Sequence, residues 1–474
     1  MNEVNEKCGI FGIFGEGMDV SRLSFFGLFS LQHRGQESSG IAVGDGQSIR
    51  SHKGLGLVTQ VYTEEAIQSL KGFCAIGHNR YSTSEGTGMT HAQPVVVRDG
   101  ALALAHNGNL PSVKLLEEFL SARNVSIEGK NDSELMAEAI GYFMKVGSSL
   151  PEAVRQAFPF FTGAFSLVVM TKEALVAVRD GFGVRPLVMG TLNGGVVFAS
   201  ETCAFHSMGA EFLREVAPGE MVTVTKEGVR AQQLVPGRQR FDIFEFVYFA
   251  RPDSTFMGRS VYEVRRNFGM QLAKEYKPEA DIVVPVPETA VPMAAGYAHA
   301  SGIPLELAFI KDRYIHRTFI EPDQHSRDLG VKLKLVPVPE ILRGKRVILI
   351  DDSIVRGTTS RRIVKSLFEA GATEVHFLVS SPPILFPDFY GIDTPAQKDL
   401  IASTKSVEEV GKFLGATSLY YLSLRGLIES TRLPRSVFNT SCFTGDYPID
   451  IHERMREVRV MEVMHERQGT LFTS

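Results

Sequence analysis

Tryptophan is absent from this chain, and only four cysteines occur in its 474 residues. Cys8, Cys74, Cys203 and Cys442 lie far apart, with no CxxC pair. That spacing excludes a disulfide scaffold and an ordinary zinc module, and it suits a reducing cytosol. The missing tryptophan decides nothing. No apolar run approaches the roughly eighteen residues of a membrane span. The lead MNEVNEK is too short and too polar for a secretory signal. A net charge of -4 offers no basic excess for nucleic acid. What is present, 44% hydrophobic and 22% charged residues, is the make-up of a soluble globular protein. The chain is too long for one core, so two or three domains are expected.

The first half reads as short strands broken by glycine. AFSLVVM, ALVAVRD, PLVMG and GVVFAS run from residue 164 to 200, and the turn signals TKE and LNGG join them into two hairpins. One helix stands out, NDSELMAEAIGYFMKV, with Asp132 and Ser133 as candidate caps and Leu135, Met136, Ile140 and Phe143 as its apolar face. Hairpins with helices set apart predict an α+β domain with antiparallel sheets. At residue 236 the texture changes to the arginine- and aromatic-rich junction PGRQRFDIFEFVYFARPDS. Beyond it, the strands DIVVPVP, KRVILIDD and TEVHFLVSS alternate with the helices ETAVPMAAGYAHA and TSRRIVKSLFEAGA, which predicts an α/β domain on a parallel, doubly wound sheet. The end, IDIHERMREVRVMEVMHERQG, reads as a charged amphipathic helix.

VILIDDSIVRGTTS (347–360) is the most specific string. A buried strand ends in Asp351 and Asp352, and a short loop leads through Gly357, Thr358 and Thr359 into a helix. Backbone N–H groups at such a helix start, with its dipole, favour a phosphate. The acids suit ribose hydroxyls or a magnesium-bound pyrophosphate. A strand end with ordinary caps would carry some of these residues, but not the whole string. The string resembles the signature of the phosphoribosyltransferases, whose substrate is phosphoribosyl pyrophosphate. VPVPETA (284–290) resembles their pyrophosphate-gripping loop, with Thr289 where the family usually has serine. RYIHRTFIEPDQHSRDLGVKLKL (313–335) resembles their closing loop, whose cations Arg313, Arg317, Arg327, Lys332 and Lys334 would offset substrate charge. His316 stands where the family commonly has glycine. The resemblance implies sugar contacts at Asp351, Asp352, Gly357, Thr358, Thr359, Arg317 and Lys332, and Mg2+ at Thr289, Asp351 and Asp352.

In the first half, CGIFGI, LQHRGQESSGIAV (31–43), GHNRYSTSEG (77–86), AHNGNL (105–110) and NDSE (131–134) together resemble the class II glutamine amidotransferases, an N-terminal-nucleophile αββα fold. A thiol of pKa ~8.5 needs a base. An α-amino group of pKa ~7.7–8.0 on the same residue supplies one. It exists at Cys8 only if Met1–Lys7 is removed, so residues 1–7 read as a propeptide. The resemblance implies Cys8 as nucleophile and Asn107 with Gly108 as the oxyanion hole. It implies Arg80 on the glutamine carboxylate, Asp132 on its ammonium, and Arg34 ordering the cysteine loop. The lesser alternative for Asp132 is a plain helix cap. His33, His78, His91 and His106 lack zinc-site spacing and stay outside the chemistry; Cys74 and Cys203 read as core thiols.

The two halves in series resemble the amidophosphoribosyltransferase family. The implied reaction releases ammonia from glutamine and passes it to phosphoribosyl pyrophosphate, giving 5-phosphoribosylamine, glutamate and pyrophosphate, the first step of purine synthesis. The expected division is a propeptide at 1–7, an amidotransferase domain at 8–236 and a phosphoribosyltransferase domain at 237–474 with a helical end. Tyr248 is either a junction residue that senses the sugar or ordinary core packing. One branch of the family holds an iron–sulfur cluster on four cysteines; the matching positions here are Asp242, Asp388, Asn439 and Cys442, so no cluster is expected. The resemblance further implies purine nucleotides as feedback inhibitors, a homotetramer, a cytoplasmic location, and neither nucleic acid nor membrane as partner. Two other readings stand beside it. An amidotransferase with another acceptor would lack residues 347–360. A phosphoribosyltransferase-fold regulator would not need Cys8, Arg80, Asn107 and Asp132 together.

Overall fold

Strand Gly9–Phe14 follows directly on Cys8, and its side chains sort by the two-residue period of a strand. Phe11 and Ile13 pack under helix Val20–Ser30 with Leu28 and Val20, while Ile10 and Phe14 face a second sheet with Ala103, Ala105 and Val168. In the computed structural model, which describes residues 8–81, 88–311, 335–392 and 394–455, this strand is central to a seven-stranded sheet. Its neighbours are the antiparallel strands Cys74–Arg80 and Gly195–Ala199. A six-stranded antiparallel sheet stacks on it, and helices Lys114–Ser121, Asp132–Lys145 and Leu150–Ala157 cover the far face through Leu116, Met136, Ile140 and Val154. The layers are therefore helix, sheet, sheet, helix, as expected. Both hairpins read from the sequence are present: Thr162–Met170 pairs with Leu175–Arg179, and Val188–Leu192 with Gly195–Ala199.

The second half is built on four parallel strands, Ile282–Pro285, Arg346–Asp351, Glu374–Val379 and Ser418–Tyr421, in that spatial order. The apolar runs of the first three, IVV, VILI and VHFLV, are what burial on both faces requires, whereas the edge strand SLYY is mostly half-buried. Helices Val261–Glu275 and Val291–Ser301 cover one face through Phe268, Leu272 and Met293, and helices Thr358–Glu369 and Val407–Leu414 cover the other through Ile363, Leu367 and Val410. Strands Phe309–Lys311 and Leu335–Pro337 pair antiparallel at the base of the segment 312–334. Between the halves runs Phe241–Asp242 and a short π-helical turn, Glu245–Phe249, whose Phe246 and Phe249 are buried with Phe256, Phe438 and Phe443 while Tyr248 is half-buried against them. No helix among the described residues is long and apolar enough to cross a membrane.

Candidate active site

Cys8 is half-buried at the mouth of the seven-stranded sheet. Arg34, from the turn Gln32–Arg34, is fully buried and donates through Nε to the Cys8 carbonyl at 3.3 Å. Burial pushes the Cys8 thiol up, Asp132 adds to this, and the Tyr81 backbone N–H with Arg80 and Arg34 opposes it. A thiol so placed stays protonated at neutral pH and needs a base before it can attack.

Arg80 closes the strand Cys74–Arg80, buried, with the Glu37 carboxylate 3.6 Å away. Asp132 opens the helix, but it does not cap it, and neither does Ser133. Asn131 is the cap: its side chain accepts from Glu134 N–H at 3.0 Å, and the Glu134 carboxylate accepts from Asn131 N–H at 2.9 Å. That reciprocal pair is a capping box, one residue earlier than the spacing suggested. The Asp132 carboxylate is thereby left to receive Leu110 N–H at 3.2 Å, on the strand that carries Asn107. Asn107 is fully buried, and neither of its side-chain amide atoms has a hydrogen-bond partner among the described residues. A buried amide left so is costly, and it calls for a partner such as a water, an ion or a ligand to complete its bonding. Gly108 beside it has φ +149°, and its backbone lies against the Ala164 carbonyl, so only glycine fits there.

His78 donates through Nε2 to the His106 carbonyl at 3.0 Å, His106 meets Ser133 Oγ at 3.0 Å, and burial keeps both rings neutral. His33 pairs with Glu201.

In the second half Asp351 ends its strand and Asp352 follows, both buried. Burial, then the neighbouring Asp352 charge, pushes Asp351 well above the usual carboxylate range. Gly357, with φ +75°, caps helix Thr358–Glu369, where Thr359 is half-buried and Thr358 exposed. Thr289 lies in the turn after Ile282–Pro285, whose register against Arg346–Asp351 sets both loops at the carboxyl edge of the sheet, where ligands of such sheets bind. Arg313, His316, Arg317, Arg327, Lys332 and Lys334 lie outside the described residues, as do Met1–Lys7 and most of the segment read as a C-terminal helix.

One buried network was not foreseen. Arg34 forms a two-pronged pair with Glu245 at 2.8 and 2.9 Å and also reaches Glu201. Arg185 bonds Glu245 at 3.3 Å and Asp242 at 2.7 Å. Glu201 accepts Arg251 N–H at 2.9 Å and Ser254 O–H at 2.7 Å. Burial alone would raise both glutamates, yet His33 and Arg34 hold Glu201, and Arg34 and Arg185 hold Glu245, below the usual carboxylate range. The signal in the sequence was a lone acid inside the aromatic run FEFVYF.

A family model described as a glutamine amidotransferase domain matches residues 78–207, and one described as a phosphoribosyl transferase domain matches 259–382. The amidophosphoribosyltransferase of Synechococcus elongatus is 47% identical over 463 residues, 96% of this chain and 94% of the relative. The chain belongs to the amidophosphoribosyltransferase family. The amidophosphoribosyltransferase of Bacillus subtilis is 44% identical, covering 95% of this chain and 96% of its own. Among solved structures, glutamine phosphoribosylpyrophosphate amidotransferase from Bacillus subtilis complexed with ADP and GMP superposes with a TM-score of 0.87 at 43% identity, covering 94% of this chain and 98% of that one. A structure described as the allosteric regulatory enzyme of purine biosynthesis gives 0.89 at 42% identity, covering 96% and 99%. As an amidophosphoribosyltransferase the chain transfers glutamine-derived ammonia to phosphoribosyl pyrophosphate, within purine biosynthesis.

Proposed function

We propose that Cys8 is the nucleophile of the glutamine half, released as an N-terminal residue when Met1–Lys7 is removed. Its α-amino group takes the thiol proton, the sulfur attacks the amide carbon, and the C–N bond breaks. The proton leaves with the nitrogen as ammonia, and water then hydrolyses the thioester to glutamate. Arg80 holds the glutamine carboxylate and Asp132 its ammonium, while Asn107 and Gly108 donate to the oxyanion. The observation that carries this reading is the buried Asn107 amide, without a hydrogen-bond partner among the described residues, on the strand whose Leu110 N–H the Asp132 carboxylate accepts.

Ammonia protonates in neutral water, so it passes through an enclosed route along the junction, with Tyr248 sensing the sugar. At the anomeric carbon it forms the C–N bond as pyrophosphate leaves. The chain divides functionally at residue 236. The buried pair Asp351 and Asp352, with the Thr289 hydroxyl, fits Mg2+, which takes oxygen ligands and supplies charge neutralisation for the pyrophosphate. Gly357, Thr358 and Thr359 receive the phosphate, and Arg317 and Lys332 close over it. Asp242, Asp388 and Asn439 do not fit an iron–sulfur cluster: Asp242 is paired to Arg185, Asp388 accepts two backbone N–H groups, and Asn439 accepts Ser441 N–H. Purine nucleotides act as feedback inhibitors, a reading supported by the ADP and GMP named with the Bacillus subtilis structure. A cytoplasmic homotetramer completes the proposal.

The test is glutamate release from glutamine with Mg2+, with and without phosphoribosyl pyrophosphate, on protein whose intact mass lacks the first seven residues. A sharp rise with the sugar is expected. Equal release in both conditions would mean another acceptor, and silence in both would remove Cys8 from the chemistry.

A further inference from the structure

The strand Leu102–Ser112, which carries Asn107 and Gly108, is supported unevenly. On one edge it pairs with Thr162–Met170 through Gly108 and Asn109. On the other, strand Val95–Val97 pairs with it only from Leu102 to Leu104. Next to Gly108, at Asn109, the missing support comes from 280 residues further along the chain. Asn109 Nδ2 donates to the Phe389 carbonyl at 2.9 Å. Gly391 lies so close that a Cβ on it would stand 2.8 Å from the Gly108 carbonyl carbon and 2.9 Å from its oxygen. Gly391 also has φ +107°, a backbone conformation that side chains resist.

Asp388 shapes this turn. Its Oδ1 accepts the N–H groups of Tyr390 at 2.9 Å and Ile392 at 2.7 Å, folding the chain so that Gly391 meets Gly108. The turn is itself anchored. Tyr390 is fully buried, its hydroxyl donating to the Ile449 carbonyl and accepting Ile449 N–H at 3.0 Å. Tyr447 O–H donates to the Pro387 carbonyl at 2.7 Å, and Phe386 and Phe389 pack on Ala164, the register partner of Asn109.

We propose that the turn Phe389–Ile392 of the sugar half is the backing of the oxyanion hole in the glutamine half, with Asp388 as its positioning residue. The inference rests on the reading of Asn107 and Gly108 as oxyanion donors. Such donors work only when held where charge develops, and a displacement of about 1 Å can cost on the order of a hundredfold. The acid that stands where one branch of the family holds its cluster therefore does a positioning task by hydrogen bonding.

The test uses the full-length processed enzyme and three variants, Gly391→Ala, Asp388→Ala and Asp388→Asn. Glutamine hydrolysis and synthesis from added ammonium salt are both measured, the second requiring only the sugar half. Gly391→Ala and Asp388→Ala are expected to lower kcat for glutamine hydrolysis by about tenfold or more, with KM for glutamine and ammonium-dependent synthesis changed less than about twofold. Asp388→Asn, which keeps an acceptor oxygen, should restore most of kcat. Unchanged kcat in both disruptive variants would overturn the inference, and so would parallel loss of both activities, which would mean a general folding role. Asn107→Ala separates the two ideas. If it leaves kcat intact, the oxyanion reading itself fails; if it lowers kcat while Gly391→Ala does not, only the backing fails.

Discussion

At Arg34 a single guanidinium answers the Cys8 carbonyl and the fully buried carboxylates of Glu201 and Glu245. Arginine suits this place because its planar fork meets a carboxylate with two parallel bonds, and its charge persists when buried. His78 shows the opposite strategy. Burial holds it down to about 3, against 6.5 when free, so it stays neutral while bonded to the His106 carbonyl. The unfolded chain takes up a proton below pH 6.5 that the folded chain refuses, so stability from this site is present above pH 6.5 and is lost as pH falls toward 3. His78→Gln should therefore flatten the acid limb of stability. Urea midpoints measured across that window would check it, and an unchanged slope would assign the acid sensitivity elsewhere.

At the scale of elements, helices Val261–Glu275 and Val291–Ser301 touch backbone to backbone at Gly269 and Gly296. A Cβ on Gly296 would run into the Arg266 carbonyl. Alanine gains about 1 kcal/mol in helix propensity over glycine, whereas overpacking a tight contact costs about 1–3 kcal/mol. The clash decides the sign because backbone cannot step aside as a side chain can. Gly296→Ala should lower the urea midpoint, and a neutral or stabilising result would mean that the helices can slide apart. The two hairpins, the helix Asp132–Lys145 and the strand–helix alternation of the second half were legible in the sequence, whereas helices Val20–Ser30, Lys114–Ser121, Leu150–Ala157 and Val261–Glu275 and the strand Ser418–Tyr421 were not read. The cap of helix Asp132–Lys145 was misplaced by one residue because Asn131, Asp132 and Ser133 are all good caps, and only the reach of the Glu134 side chain chooses among them.

Across the whole molecule, the two halves meet through charge as well as through apolar packing. Glu245 belongs to the junction turn, yet both of its oxygens are held by arginines of the glutamine half, Arg34 and Arg185. Glu245→Gln keeps the shape and removes the charge, and breaking a buried pair typically costs about 3–5 kcal/mol. The expected outcome is a smaller ratio of glutamate release with and without phosphoribosyl pyrophosphate, accompanied by a lower melting temperature. An unaltered ratio at reduced stability would confine Glu245 to holding the fold. Strings with a fixed local spacing, such as VILIDDSIVRGTTS and AHNGNL, made the chemistry of each half readable, because a helix start after a strand, or an asparagine–glycine pair on a strand, is determined by neighbours along the chain. The Arg34–Glu245–Arg185 network and the meeting of Gly391 with Gly108 carry no such mark. Their partners lie far apart in sequence and come together only when two separately patterned cores dock, so tertiary structure alone decided how Cys8 and the strand of Asn107 and Gly108 are held by the second half.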